Sequence, residues 1–261
     1  MPRFAANLSL LFTEAPLIER FERAAAASFT RVEIQFPYEL APKAFAAALA
    51  RNKQELVLFN LPAGDWAAGD RGIAAHPERV DAFRAGVQQA IGLAREVGCP
   101  RLNLLAGLRD PRLPLDAQRR TLRDNIRYAA EALAQHHLTL VIEALNQYDL
   151  PGFLLSSSHE SLGLIAAVGR PNVRLQYDVY HMQRGEGELA GTIARNLDRI
   201  GHIQIADNPG RHEPGSGEIN FRFLLPYLDT IGYDGIVSLE YIPAGDTLAG
   251  LGWLEEHGLT L

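Results

Sequence analysis

The feature that most constrains this chain is a regular alternation of short apolar segments with longer amphipathic ones. Eight short segments are rich in Val, Ile, Leu and Phe, as expected for strands that are buried on both faces. They are Phe4–Leu8, Arg31–Phe36, Glu55–Asn60, Arg101–Leu105, Leu138–Glu143, Val173–Asp178, His202–Ala206 and Gly235–Glu240. Alternation of this kind is typical of a parallel sheet whose strands are joined by helical crossovers.

Between these segments, apolar residues recur at three- and four-residue spacing, which is the pattern of helices packed on a sheet. The clearest cases are Asp81–Val97 and Leu122–Ala134. Another helix follows Pro16, and five more are predicted at Pro42–Ala50, Glu160–Val168, Leu189–Leu197, Phe221–Ile231 and Thr247–Glu255. Eight strands and eight helices in strict alternation favour closure into an α/β (β/α)₈ barrel.

The length of the chain agrees with a single barrel. A (β/α)₈ barrel takes about 250 residues, and this chain has 261. No linker or low-complexity tract divides it, so we expect one TIM-barrel domain over residues 1–261. The first strand is not followed by Gly-x-Gly-x-x-Gly, so a dinucleotide-binding fold lacks its main local support.

Composition excludes several classes of function. The formal net charge is -6, which argues against a nucleic-acid partner, because phosphate contacts require clustered Lys and Arg. A small anionic substrate stays possible, since one Arg can bind a carboxylate. The single cysteine, Cys99, rules out an intramolecular disulfide and is interpreted as a small core residue.

The chain has no signal-peptide pattern at its start and no apolar stretch of about 18 residues. We therefore expect a soluble, cytoplasmic protein that does not bind a membrane, and a homo-oligomeric state stays open.

Each of the last four predicted strands carries a polar side chain at or near its carboxyl end. Glu143, Asp178 and Glu240 end the fifth, sixth and eighth strands, and Gln204 lies within the seventh. In a closed barrel these ends meet at the mouth, where active sites form. Converging carboxylates repel one another unless they are protonated or bridged by a cation. The oxygen-rich set predicts Mg²⁺ or Mn²⁺, whereas zinc would be expected to recruit more His or Cys.

Several motifs carry a resemblance to a known family. They are Arg3–Ser9, Asn60–Gly69, Tyr177–Gln183, Gln204–Pro209 and Arg211–Asn220. With these motifs, the chain resembles the hydroxypyruvate isomerase family of the xylose isomerase-like TIM-barrel superfamily over essentially its full length. The resemblance places Glu143, Asp178, Gln204 and Glu240 on metal-ligand positions, and Glu143 and Glu240 also on proton-transfer positions.

The resemblance also implies substrate contacts. His181 and Arg211 match positions that contact substrate oxygens in related ketose epimerases. Those epimerases usually carry His where this chain has Gln204, which makes Gln204 the least certain ligand. His202 lies two residues earlier, on the same side of the strand but deeper, and is the alternative.

Other polar residues have two open interpretations each. Arg211, in a glycine-rich loop, is the candidate for a substrate carboxylate, or else a solvated loop residue. His181 could bind a substrate hydroxyl or orient Asp178. Glu33 and Asn60 could contact substrate or support the residues that do. Trp66 could shield the site from water or pack locally.

These residues together predict a metal-assisted 1,2-proton shift through an enediol, acting on a small hydroxy-keto acid. Glu143 and Glu240 would serve as base and acid. The resemblance, in Asn60–Gly69 above all, favours interconversion of the three-carbon acids hydroxypyruvate and tartronate semialdehyde. The alternative is a four-carbon acid, as for 2-oxo-tetronate isomerases, or another small keto-sugar or sugar acid. Two other classes are less favoured: a metal-dependent phosphodiesterase that acts on abasic DNA, and a non-catalytic barrel that binds a sugar acid.

Overall fold

The computed structural model describes residues 2–261 and contains a closed barrel of eight parallel strands in chain order. The strands are β1 (Arg3–Asn7), β2 (Arg31–Glu33), β3 (Glu55–Asn60), β4 (Arg101–Leu104), β5 (Thr139–Glu143), β6 (Val173–Asp178), β7 (Ile200–Ile205) and β8 (Ile236–Leu239). The barrel closes where β8 pairs with β1, in a register that sets Phe4 opposite Val237 and Ala6 opposite Leu239. The predicted fold class is therefore confirmed.

Ten α-helices lie among the described residues. They are α1 (Leu17–Ala26), α2 (Pro42–Asn52), α3 (Val80–Val97), α4 (Leu115–Ala134), α5 (Ser158–Val168), α6 (Val179–Gly185), α7 (Leu189–Arg195), α8 (Phe221–Thr230), α9 (Thr247–Gly250) and α10 (Trp253–Glu256). Short 3₁₀ turns at Pro77–Arg79 and Leu197–Arg199 precede α3 and β7.

The prediction of one helix per crossover is wrong in two places. Between β6 and β7 the chain forms both α6 and α7, because the Asp178 side chain caps a helix that begins directly after the strand. After β8, the predicted helix Thr247–Glu255 is interrupted, so that α9 ends at Gly250 and α10 begins at Trp253. His181 accordingly lies in the first turn of α6.

Strand β2 is three residues shorter than predicted. Its register against β3 shifts between Val32 and Glu33, which is a bulge. After Glu33 the backbone N–H of Gln35 donates to the Ser9 hydroxyl at 2.8 Å, while the Gln35 carbonyl still accepts from the backbone N–H of Asn60 at 2.9 Å. Gln35 lies two residues after Glu33, so its side chain points to the same side, toward the mouth of the barrel.

The helices bury their apolar faces against the outside of the barrel. In α3 the buried side chains include Phe83, Val87 and Ile91, which follow the predicted helical spacing. The large core formed in this way lies between strands and helices, whereas a small separate cluster includes Ala5, Leu58 and Val141. No helix within residues 2–261 is long and apolar enough to cross a membrane.

The small cluster lies beneath the polar end of the barrel. Each of its members Ala5, Leu58 and Val141 precedes a polar residue by two positions, namely Asn7, Asn60 and Glu143. Side chains two apart on a strand point to the same face. The apolar cluster therefore forms the floor on which the polar side chains of the mouth rest.

Candidate active site

A cavity of about 210 Å³ opens at the carboxyl ends of the strands. It has a polar side, where two carboxylates, a guanidinium, an imidazole and two amides face inward, and an apolar side of aliphatic and aromatic groups. The lining residues are Leu10, Gln35, Phe36, Asn60, Trp66, Leu105, Glu143, Leu145, Leu150, His181, Arg211, Glu240 and Ile242. The chemistry-bearing groups and the space for a small ligand thus coincide.

Glu143 ends β5 and is buried, with 5% of its surface exposed. One of its carboxylate oxygens, Oε2, accepts a hydrogen bond from Asn103 Nδ2 at 3.0 Å. Asn103 also donates to Asn60 Oδ1 at 3.1 Å. The ends of β3, β4 and β5 are therefore connected, and Glu143 is held with one side toward the cavity.

Glu240 follows β8 and is held by three donors. Its Oε1 accepts from Asn7 Nδ2 at 3.1 Å and from Gln35 Nε2 at 2.9 Å. Its Oε2 accepts from Arg211 at 2.5 Å. Arg211 also lies 3.3 Å from Asp178 Oδ2, so that a single guanidinium group contacts two carboxylates.

Asp178 ends β6 and begins α6. Its Oδ1 accepts from the backbone N–H groups of Tyr180 and His181, at 2.8 and 3.3 Å, which is a helix N-cap. Its Oδ2 faces Arg211 and lies 3.7 Å from His181 Nε2. Oδ1 of Asp178 therefore caps α6, and Oδ2 faces the site.

The orientation of His181 fixes what its ring can do. Its Nδ1 lies 3.3 Å from the backbone N–H of Asn146 and 2.7 Å from the side-chain nitrogen of the same residue, and both contacts require Nδ1 to accept. Burial lowers the pKa of His181 well below its usual value, with Arg211 and Arg184 adding to the effect. The neutral ring therefore carries its proton on Nε2 and offers a hydrogen-bond donor toward Asp178 and the cavity.

A second layer of polar residues lies beneath the mouth, centred on fully buried Glu33. Its Oε1 accepts from Asn7 at 2.7 Å and Gln204 at 2.6 Å, and its Oε2 contacts His202 Nε2 at 2.6 Å. Burial raises the pKa of Glu33, but His202 and the amide donors outweigh it and lower the pKa overall. Burial lowers the pKa of His202, although its contact with Glu33 opposes this shift.

Gln204 belongs to this layer as described. Its amide nitrogen donates to Glu33, and its amide oxygen accepts from Gln176 Nε2 at 2.7 Å. Gln204 pairs with Asp178 across the ladder between β6 and β7. To serve as a ligand, its oxygen must leave Gln176. His202, the alternative, is fully buried with Glu33 as its partner and does not line the cavity.

Burial controls the charges of the three carboxyl groups at the mouth. It raises the pKa of Glu143 well above its usual value, and neighbouring Glu240 and Asp178 raise it further. It raises the pKa of Asp178 despite Arg211. For Glu240, burial and the other carboxylates raise the pKa to about 8, although Arg211 opposes them. The cluster therefore favours added protons or an added cation.

The donor set fits a hard divalent cation. Ligand atoms of Glu143, Asp178 and His181 lie within 4.8 Å of one another, and the three residues are buried. The carboxylate oxygens are the ligands that Mg²⁺ and Mn²⁺ prefer. The imidazole carries its proton on Nε2, which places His181 to donate a hydrogen bond, while the carboxylates of Glu143 and Asp178 are the atoms of this group that could hold a cation.

A second group with suitable ligand atoms, His76, Glu78 and Asp110, lies away from the mouth. Both oxygens of Asp110 accept from Arg112, and its neighbour Glu78 is exposed. With its strongest donor already neutralised by Arg112, this group offers little to a metal ion.

The structure brings together most of the predicted residues. Asn60, Glu143, His181, Arg211 and Glu240 line the cavity. Glu33 does not line it, and its contacts favour the interpretation that it supports other residues. Asp178 faces it through Arg211 and His181, while Gln204 lies below.

Sequence reasoning missed the amide donors. Asn7, Gln35, Asn103 and Asn146 each hold a carboxylate or His181 by a side-chain hydrogen bond. Asn7 ends β1 and Asn103 lies one residue before the end of β4. The strand-end rule that identified the carboxylates would have found these two had it been applied to amides.

Trp66 forms part of the rim of the cavity. It is 46% exposed and packs on Phe36, with ring centroids 5.1 Å apart. The Arg71 guanidinium lies over its outer face at 4.1 Å. This arrangement combines the two interpretations, because Trp66 is packed locally and also bounds the cavity.

Comparison with known proteins identifies a matching family model and isomerases as relatives. The family model described as xylose isomerase-like TIM barrel matches residues 21–257. The chain is 47% identical to the hydroxypyruvate isomerase of Escherichia coli, over 98% of this chain and all of that protein. It is 43% identical to a 2-oxo-tetronate isomerase of Cupriavidus necator, over 98% of this chain and 99% of the relative.

Among solved structures, one from Brucella melitensis described as an AP endonuclease of family 2 superposes with a TM-score of 0.96 at 42% identity. That match covers 98% of this chain and 99% of the other. The match extends over the whole barrel, including every strand that contributes to the mouth.

Proposed function

This chain belongs to the xylose isomerase-like TIM barrel family, and we propose that it interconverts hydroxypyruvate and 2-hydroxy-3-oxopropanoate (tartronate semialdehyde). The observation that carries the proposal is the pair of buried carboxyl groups, Glu143 and Glu240, that face one small cavity from β5 and β8. A 1,2-proton shift needs one group that removes a proton and one that returns it. The 47% identity to a hydroxypyruvate isomerase supports this choice of reaction.

The reaction is an internal redox exchange with no external reductant. A base removes a proton from the hydroxyl-bearing C3 of hydroxypyruvate, and the C2 carbonyl oxygen gains a proton, which gives an enediol. A proton then returns to C2 while the oxygen on C3 loses its proton and becomes the aldehyde. The product has the same atoms as the substrate.

Glu143 and Glu240 suit the two proton transfers. Burial raises the pKa of both groups, so each takes up a proton more readily than a solvated carboxylate would, which suits groups that remove and return a proton. Asn103 fixes Glu143 and Asn7 fixes Glu240 by hydrogen bonds. The catalytic groups are therefore oriented before substrate enters.

Arg211 supplies the charge that an acid substrate needs. Its guanidinium lines the cavity beside Glu240 and can donate charge-assisted hydrogen bonds to a substrate carboxylate. His181 Nε2–H is a second donor for a substrate oxygen. On the other side, Leu105, Leu145 and Trp66 form an apolar wall that keeps water from the reactive intermediate.

We propose that Glu143, Asp178 and Glu240 hold Mg²⁺ or Mn²⁺, with Gln204 as a fourth ligand if its oxygen leaves Gln176. When bound, such a cation supplies positive charge where the substrate oxygens become negative. Gln204 is engaged below the mouth by Gln176 and Glu33, so its participation requires those hydrogen bonds to rearrange.

A four-carbon 2-oxo-tetronate is the alternative substrate, supported by the 43% identity to the enzyme of Cupriavidus necator. Both substrates share the 2-oxo-3-hydroxy acid end on which the mouth residues would act. Kinetics with the two acids under one metal condition decides between them: kcat/KM at least tenfold higher for hydroxypyruvate supports the proposal, and the reverse order replaces it.

The description of the Brucella melitensis structure raises a phosphodiesterase as a rival. Such a reaction on abasic DNA calls for several metal ions with His ligands and a basic groove. In residues 2–261 the mouth offers one imidazole beside its carboxylates, within a cavity of about 210 Å³. Cleavage of an abasic duplex at a rate comparable to isomerisation would favour the rival.

Proton exchange tests the reaction itself. The enzyme is incubated with hydroxypyruvate in D₂O, and deuterium at C2 and C3 is followed by NMR against a sample without enzyme. Enzyme-dependent incorporation supports the enediol route. Incorporation no faster than in the enzyme-free sample would support a non-catalytic barrel instead. A cytoplasmic location and a homo-oligomeric state stay predictions from the sequence.

A further inference from the structure

Arg211 is the only cationic side chain of the described residues that lines the mouth cavity. Its terminal nitrogen contacts Glu240 at 2.5 Å and Asp178 at 3.3 Å, and its side chain is 21% exposed. Its Nε lies 3.4 Å from the backbone oxygen of Glu240. Arg211 thus neutralises the carboxylates that the proposed function assigns to a metal ion.

The backbone that carries Arg211 is anchored. Fully buried Asp207 accepts four backbone N–H groups from the same loop, two on each carboxylate oxygen, at 2.8–3.0 Å. The donors are Asn208, Gly215, Gly217 and Ile219. One carboxylate therefore fixes the loop on both sides of Arg211.

Two further contacts fix the position of Arg211 itself. Its carbonyl accepts from the backbone N–H of Ile242 at 2.8 Å, which ties it to the segment after β8. Glu213 accepts from the backbone N–H of Ala244 at 3.1 Å. Arg211 has a φ of 59°, a left-handed conformation that is held by these surroundings. Movement of Arg211 is consequently confined to its side chain.

Charge makes the guanidinium and a divalent cation competitors. Both are attracted to Asp178 and Glu240, and each such oxygen that binds a metal ion loses much of its attraction for Arg211. Two cations held among the same carboxylates also repel each other. Because the backbone of Arg211 is anchored and the cavity lies in front of its side chain, a displaced guanidinium moves into the cavity.

We propose that Arg211 is an exchangeable counter-ion: it compensates Asp178 and Glu240, yields them to a divalent cation, and then presents its guanidinium to the carboxylate of the substrate. The inference rests on the proposed metal site but not on turnover. Arg211 would bind first the carboxylates of Asp178 and Glu240 and then the carboxylate of the substrate. Binding of the cation would therefore have to precede binding of the acid.

Binding of Mn²⁺ alone tests the exchange. Isothermal titration and Mn²⁺ EPR on the full chain are performed for wild type, Arg211→Gln and Arg184→Gln. The Arg211 variant is expected to bind Mn²⁺ about tenfold more tightly or better, because no charge-assisted hydrogen bond has to be broken first. Arg184 contacts Tyr180 and Asp149 nearby, so its variant controls for a general loss of positive charge and should change the affinity about twofold or less.

Unchanged or weaker Mn²⁺ binding by Arg211→Gln would overturn the inference, as would equal gains in both variants. Absence of Mn²⁺ binding in every form would overturn it together with the metal site. Tighter binding in an enzyme that does not turn over hydroxypyruvate would leave it standing while the proposed substrate fails. If Arg211→Gln does not fold, Arg211→Lys keeps the charge without the second donor and should show an intermediate gain.

Discussion

Glu33 and Glu240 share one amide donor, because Asn7 Nδ2 donates to Oε1 of Glu33 at 2.7 Å and to Oε1 of Glu240 at 3.1 Å. The buried layer and the reactive mouth are therefore joined through the first strand. A change in Asn7 reaches Glu240 without touching the cavity wall.

Replacing Asn7 by Ala should lower kcat by about 10- to 100-fold, which is typical for loss of a supporting hydrogen bond at such a site. The reason is that Glu240 loses one of its two amide donors, and Glu33 loses one of the three side chains that bind it, Asn7, Gln204 and His202. Steady-state kinetics measures the change. Gln54→Ala is the matched control, since Gln54 is a buried amide bound to the carbonyls of Phe21 and Phe29, away from the mouth. Equal effects of the two substitutions on kcat would show that only stability had changed.

Replacing Glu240 by Gln should lower kcat by at least about 10³-fold, since the amide can neither accept nor return the proton. Circular dichroism and the melting temperature should stay close to those of wild type, because the amide can still bind Asn7 or Gln35. Turnover within tenfold of wild type would contradict the proton-transfer role of Glu240.

Removal of divalent metal should lower activity by at least about 100-fold, given that a cation contributes several kcal/mol to charge stabilisation. The protein is dialysed against a chelator, its metal content is measured, and Mg²⁺, Mn²⁺ and Zn²⁺ are returned separately. Mg²⁺ or Mn²⁺ should restore the rate better than Zn²⁺. A metal-depleted protein with full activity would show that Arg211 and the carboxyl groups suffice.

Replacing Asp207 by Ala should destabilise the protein by at least about 3 kcal/mol, because four backbone donors lose their partner in a buried loop. KM for hydroxypyruvate should rise as well, since the same loop carries Arg211. Urea unfolding and kinetics measure the two effects. Asp246→Ala removes the N-cap of α9, a single exposed hydrogen bond, and should cost only about 1 kcal/mol. Similar losses for both would contradict the anchoring role.

Cys99 gives a pH-dependent contribution to stability. Burial raises the pKa of its thiol to about 12. In the unfolded chain the thiol ionises near about 8.5, so between that pH and 12 the unfolded state binds fewer protons and stability falls as pH rises. Between pH 8 and 10, wild type should lose about 2 kcal/mol relative to Cys99→Ala. Urea unfolding at each pH tests this, and parallel stability curves would refute it. At pH 8 a thiol reagent should not label Cys99 in the folded protein and should label it once the protein is unfolded.

The barrel could be predicted because its pattern is local. Short apolar segments reveal the strands and segments of period 3.6 reveal the helices, one at a time, and closure follows from their number. The carboxylates at the ends of β5, β6 and β8 could be predicted for the same reason. In contrast, the short helix α6 was hidden, because its N-cap Asp178 had already been counted as the last residue of a strand.

The contacts among site residues could not be predicted, because they depend on register. Gln35 lies two residues after Glu33 and on the same side of the chain, but its contact with Glu240 depends on the offset between the first strands and β8. The pairing of Gln204 with Gln176 and Glu33, rather than with the mouth, depends on the packing of buried side chains inside the barrel. Arg211 was predicted for a substrate carboxylate, yet its contacts with Asp178 and Glu240 required the loop conformation that Asp207 imposes.

The pairing of β8 with β1 also determines when the barrel can close during synthesis. Asn7 is translated early, but its partner Glu240 lies 233 residues later in the chain, and the same separation divides Phe4 from Val237. Domains assemble from the N-terminus as they are translated. Until β8 emerges, Glu143 lacks Glu240, the second group of the proposed proton transfer. A chain that ends before β8 is therefore expected to lack the proposed activity, which should appear only when the last strand is present.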